Sequence, residues 1–170
     1  MPGSVIGTVM NIGYPGSFSR NGDCIIVPRG IKSTDTVGVS FGDPVVLNTD
    51  NTYSKFGAAN TAIQFAGIGI REVKQTADYY NPAGKYNPGD SADVIVRGTV
   101  CVVCNVGIPT AWGDVYVRTV LNGAIPAGVV GGFEATADGT NSILLTNVKF
   151  NTGNMDANKM VEVVIIIRNA

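Results

Sequence analysis

Apolar residues recur at alternate positions along much of this chain, in short runs broken by glycine, proline, asparagine and aspartate. An extended backbone points successive side chains to opposite faces, so this period of two predicts strands rather than helices. Strands are expected near Val5–Met10, Cys24–Val27, Thr36–Phe41, Val45–Leu47 and Ile63–Glu72, and again near Asp93–Val103, Asp114–Leu121, Ser142–Phe150 and Met160–Arg168. Tyr14-Pro15-Gly16, Asn21-Gly22, Gly42-Asp43-Pro44, Asn87-Pro88-Gly89-Asp90 and Asp138-Gly139 separate them. These pairs supply the positive or fixed φ that tight turns require.

The run Asp93–Val103 carries the alternation most clearly. Val94, Val96, Gly98, Val100 and Val102 share one face, expected to be core, and Gly98 is expected to mark a bulge or bend. In the last run Val161, Val163, Ile165 and Ile167 share a face, while the opposite face is polar only at Glu162 and Arg168. A strand apolar on both faces is central in its sheet or covered by another subunit. Ser54–Ala62 is expected to form at most a short helical turn. The fold class is therefore all-β with little or no helix: a single compact β-barrel or β-sandwich, jelly-roll-like, over residues 1–170, with 1–20 a candidate N-terminal interaction segment.

Composition narrows the function. Charged residues make up only 15% and hydrophobic residues 45% of the chain, little charge for a surface left bare. The most apolar stretch, Met160–Ile167, is interrupted by Glu162 and falls short of the roughly 18 residues of a spanning helix, so no membrane is expected as partner. With 12 basic and 13 acidic residues scattered singly, no basic stripe exists to neutralise phosphates, and nucleic acid is not an expected partner. No basic stretch leads into an apolar signal core. The three cysteines, an odd number, read as reduced thiols of a protein made inside a cell. Histidine is absent, which removes the commonest general base, the usual nucleophile triads and most zinc sites.

No catalytic, cofactor or metal residues are assigned. Cys101 and Cys104 have CxxC spacing, but on a strand positions i and i+3 face opposite sides about 10 Å apart, beyond the ~7 Å that a disulfide spans. The glycines around Gly67 lack the strand–turn–helix context of a nucleotide loop. The turns Asn48–Asn51 and Asp138–Asn141 lack the acidic ladder of a calcium loop. Glu72, Glu134 and Glu162 are the only glutamates, and Glu72 and Glu162 are read as edge or interface charges. Trp112 sits in a loop, and Tyr79, Tyr80 and Tyr86 cluster in another, as expected of loop anchors or protein contacts.

The order of segments resembles the structural cement, or capsid decoration, proteins of tailed bacteriophages. The blocks that carry the likeness are Gly13-Tyr-Pro-Gly-Ser-Phe-Ser-Arg20, Phe41-Gly-Asp-Pro-Val45, Phe65-Ala-Gly-Ile-Gly-Ile-Arg-Glu-Val73, and Tyr86-Asn-Pro-Gly-Asp90 running into Asp93-Val-Ile-Val-Arg-Gly-Thr-Val100. The resemblance implies a non-enzymatic virion component on the outer capsid surface, made in the host cytoplasm, without cofactor. It implies the major capsid protein as partner, together with self-association as a dimer or trimer. Within that frame, Pro2–Ser19 and Asp78–Asp90 are expected to face the capsid or a sister subunit, because both combine proline, glycine and aromatics with almost no charge. The expected contact residues are Tyr14, Pro15, Phe18, Tyr79, Tyr80, Tyr86 and Trp112. Two alternatives remain: a tail or head–tail connector component, or a carbohydrate- or receptor-binding β-domain, which clustered exposed aromatics would favour.

Overall fold

In a computed structural model of the protein, residues 12–20, 22–71 and 84–167 are described. The strand expected at Val5–Met10 lies outside them. The alternating runs become β1 (Ile25–Gly30), β2 (Val39–Ser40), β3 (Pro44–Leu47), β4 (Tyr53–Lys55), β5 (Phe65–Gly69), β6 (Lys85–Tyr86), β7 (Ser91–Val106), β8 (Asp114–Arg118), β9 (Phe133–Glu134), β10 (Ser142–Met155) and β11 (Met160–Ile165).

Strands β11, β10, β8, β9 and β7 pair in that order, and β11 pairs back onto β7, so that five strands close a barrel. All its pairings are antiparallel except β7 with β9. The first half of β7 belongs to a second curled sheet, in which β1 lies on one edge and β5, β3 and β4 follow on the other. A bridge between Ile31, just past β1, and Tyr53 of β4 draws the ends of this sheet together. The β2–β6 ribbon pairs Val39 with Tyr86 beside it.

Each sheet has its own core. The barrel encloses Val100, Val102, Cys104, Val115, Val117, Phe133, Leu145, Val148, Phe150, Val161, Val163 and Ile165, a cluster that extends to Ile68 and Ile95. The second cluster contains Ile31, Val39, Val45, Tyr53, Tyr86, Ala92, Val94 and Val96. Burying one such large apolar side chain contributes roughly 1.5–3 kcal/mol, so both clusters are strong enough to fix strand register.

The faces of β7 differ from the simple alternation. Even-numbered residues face the second core before Gly98 and the barrel core after it, whereas Ile95 belongs to the barrel cluster. The pairing with β1 skips a residue, running from Ile26 opposite Ile95 to Ile25 opposite Arg97. This is a bulge, and an extra residue exchanges the two faces of a strand. Gly98 follows with φ +119°, and a Cβ there would lie 2.8 Å from the Asp23 carbonyl oxygen. The backbone entering β1 crosses too closely for any side chain.

Other differences are local. Ser54–Ala62 is not a helical turn: its start belongs to β4, and a 3-10 turn follows at Ala62–Gln64. Thr61 opens that turn, its N–H donating to the Gln64 side chain at 2.8 Å. Ile167 is exposed beyond the end of β11 rather than part of the core face.

Candidate interaction surface

Opposite β11, the middle of β7 is covered by the segment 12–20, and β9 follows from Cys104. In the middle stretch the Gly16 N–H donates to the Cys101 carbonyl (2.8 Å), the Cys101 N–H donates to Ser17 (2.9 Å), and Phe18 bridges to Val100. This strap is tied again at its start and at its middle. The Ile12 N–H donates to Asp156 (3.2 Å), and the Arg71 N–H donates to the Gly16 carbonyl (2.8 Å). Gly16 has φ +76° and a Cβ there would lie 2.7 Å from the Arg71 nitrogen. The Tyr-Pro-Gly turn is thus required by a close backbone approach as well as by turn geometry.

The strap covers polar groups that the strand pattern left unplaced. Glu162 lies opposite Cys101 in the β11–β7 register and is buried; Arg20 donates to it from Nε at 2.8 Å. Its reading as an edge charge is therefore corrected. Burial works to raise the Glu162 carboxyl, but the bonds that it accepts, that from Arg20 foremost, more than offset this and hold it below its ordinary value. Cys101 faces this strapped wall, its Sγ 3.8 Å from the Ile12 carbonyl, whereas Cys104 belongs to the barrel core. The two thiols of the CxxC are free and on opposite faces, and burial raises both above the ordinary thiol range. Among the described residues no cluster of cysteine and carboxylate groups is suited to a metal ion.

Three expected contact residues are presented outward. Tyr14 is 65% exposed beneath the Arg71 guanidinium, 4.4 Å from its ring centre, and Phe18 is 41% exposed. Trp112 is 60% exposed at φ +62°, held by its N–H to the Phe150 carbonyl at 2.8 Å. Arg20, at the end of the strap, lines the same shallow groove as Trp112, with Thr99 and Ile166. The strap and the Trp112 loop therefore border one face. Pro15 is half-buried and packs toward Gly42.

Tyr86 does not join them. Its ring is fully buried, edge-on to Phe41 at 5.2 Å, and its hydroxyl donates to the Ile70 carbonyl at 2.8 Å. Its position opposite Val39 in β6 turns it into the second core, so it anchors its loop from inside. Tyr79 and Tyr80 lie outside the described residues.

The most concentrated buried polar group escaped the strand analysis. Arg118, at the end of β8, is fully buried and grips both Glu134 oxygens, Nε to Oε1 and Nη2 to Oε2 (3.0 Å). Its Nη1 donates to Asp138 (2.7 Å) and to the Val120 carbonyl (3.2 Å). Asn122 and Asn141 donate to the same aspartate. Those bonds, from Asn122 first and Arg118 next, hold the Asp138 carboxyl below its ordinary value. A sequence signal existed: between Asp114 and Lys149 the only charged residues are Arg118, Glu134 and Asp138. They converge to pin the 119–132 connection against the barrel, with Gly128 packed directly over the guanidinium.

Comparison with known proteins agrees with this architecture. A solved chain from "The capsid of Myoviridae Phage XM1" superposes with a TM-score of 0.67 at 15% identity, covering 98% of this chain and 97% of that one. That likeness carries the fold. No curated protein matches in sequence. The family model described as "Structural cement protein (E217 gp24/Pam3 gp6)" matches residues 1–166. The chain, a closed five-stranded barrel with a second curled sheet and a strapped outer wall, belongs to this family of phage structural cement proteins, which are structural rather than catalytic.

Proposed function

We propose that the protein binds the outer surface of a phage head, bridges neighbouring major capsid subunits and resists their separation, acting there as a closed oligomer. The observation that carries this reading is the strap. Nine residues, 12–20, are fastened to β7, Arg71 and Asp156 and still hold Tyr14 and Phe18 in solvent, while the last of them, Arg20, shares a groove with Trp112. Aromatic rings preset on a fixed backbone lose little conformational freedom on docking, and Tyr, Trp and Arg are the residues that dominate contact energies. Repetition over a shell adds avidity, so each contact need not be tight.

The test is to add purified protein to mature, undecorated heads and count bound copies by sedimentation and imaging. Saturation at a stoichiometry fixed by the icosahedral lattice is expected, with greater resistance of the heads to heat. Tyr14→Ala and Phe18→Ala together should weaken binding without changing the thermal transition of the free protein. Unchanged binding by that double variant overturns the role of the strap. No binding to heads by the wild-type protein overturns the capsid assignment.

A further inference from the structure

The connection between β8 and β9 has a chemistry unlike the strapped face. From Thr119 to Gly132 it contains no charged residue. Most of it is solvent-facing: Leu121 is 68% and Val129 52% exposed, and Val120, Ala124, Pro126 and Ala127 are exposed as well. A loop of this length is ordinarily polar, since it has no core to enter.

This one is also fixed in place. Successive turns close through the Ile125 N–H to Asn122 (2.9 Å), the Gly128 N–H to Ile125 (3.0 Å) and the Gly132 N–H to Val129 (2.8 Å). Beneath them the Arg118 guanidinium donates to the Val120 carbonyl, and Asn122 is bonded to Asp138. A buried ion pair is a poor source of net stability compared with apolar packing. What it achieves here is to hold an apolar loop in one shape.

We infer that the 119–132 loop is the surface through which copies of this chain associate with one another. Charge complementarity selects the occupant. A patch with net charge repels its own copy across a symmetry axis, whereas a neutral aliphatic patch is complementary to itself. Surfaces joining identical subunits are the more apolar class, with charge depleted at their centre. The strapped face, with Tyr14, Phe18, Trp112, Arg20, Arg71 and Asp23 on or beside it, has the mixed aromatic and charged character of a contact with a different partner. The inference deepens the reading above, from which it takes only the expectation of a closed oligomer, and its test needs no capsid.

The experiment is sedimentation velocity over a concentration series on wild type, Leu121→Asp, Val129→Asp and Tyr14→Asp, with circular dichroism to verify folding. Both loop positions are exposed, so the substitutions leave the cores untouched. The wild-type protein is expected to self-associate, Leu121→Asp and Val129→Asp to weaken association at least about ten-fold, and Tyr14→Asp to leave it unchanged. A wild-type protein that stays monomeric at every concentration overturns the inference. So does association that survives both loop substitutions. Heads that bind wild type but not Leu121→Asp, with self-association intact, would assign the loop to the capsid instead. Failure of wild type to bind heads, with loop-dependent association preserved, would sink the capsid reading and leave this one standing.

Discussion

Replacing Glu134 by alanine removes both acceptors that face the Arg118 Nε and Nη2 atoms, and that guanidinium is fully buried. Removing one partner of a buried ion pair costs roughly 3–5 kcal/mol, chiefly because the other charge stays out of water without compensation. Arg118 keeps Asp138 and the Val120 carbonyl on Nη1, which places the expected loss near the lower end, about 3 kcal/mol. For a chain of this size that corresponds to a fall in Tm of roughly 6–12 °C. In urea, with a slope of about 2 kcal/mol per M, the midpoint should drop by about 1.5 M. The assay is equilibrium urea unfolding followed by fluorescence and circular dichroism, comparing wild type, Glu134→Ala and the double variant Arg118→Met/Glu134→Leu. An apolar pair of similar volume removes both fully buried charges; Asp138 loses Arg118 but reaches solvent and keeps its bonds from Asn122 and Asn141, so most of the loss should be recovered. A midpoint shift below about 0.5 M for the single variant would refute the reasoning from buried charge. A double variant as unstable as the single would show that shape, not charge, set the cost.

Two further outcomes follow from the same geometry. The Asp138 carboxyl is held below its ordinary value when folded, so its contribution is complete above the unfolded-state pKa and fades only as pH falls through the lower, folded one. Acid titration should therefore unfold Asp138→Asn at a pH where wild type is still folded; identical acid midpoints would contradict the anchoring role. Of the three thiols only Cys24 is exposed, while burial raises those of Cys101 and Cys104. A thiol reagent at neutral pH should label one cysteine rapidly in the native protein and three after denaturation, and rapid labelling of Cys101 would contradict the strap over the β7 wall.

The strands were legible because period-two alternation reports directly on a backbone with one face in a core, and each of the eight expected runs among the described residues contains a strand. The exchange of faces at Gly98 was not, since an alternating sequence looks the same whether one core or two receive it. Glycine marked the place, but only the crossing of Asp23 and Cys24 gives the reason. The exposure of Trp112, Tyr14 and Phe18 was legible because large rings in turn-rich segments outside the alternating runs have no core face to enter. Tyr86 carried the same signal and is a core residue, because pairing with Val39 turned it inward. The Arg118 network joins residues 16 and 20 positions apart through a non-local fold, beyond the reach of any spacing rule.

The closure of the barrel by β11 has a bearing on synthesis. Until Met160–Ile165 has been made, β7 and β10 are the unpaired margins of an open sheet, and the wall that the strap covers lacks Glu162. The pairings of β11 with β7 span some sixty residues, so they form late and together rather than by stepwise growth. A ribosome-bound or truncated chain would thus offer no finished seat for residues 12–20. Under the docking role proposed for the strap, a copy that ends before β11 would lack the seat it needs to take a place in an assembly.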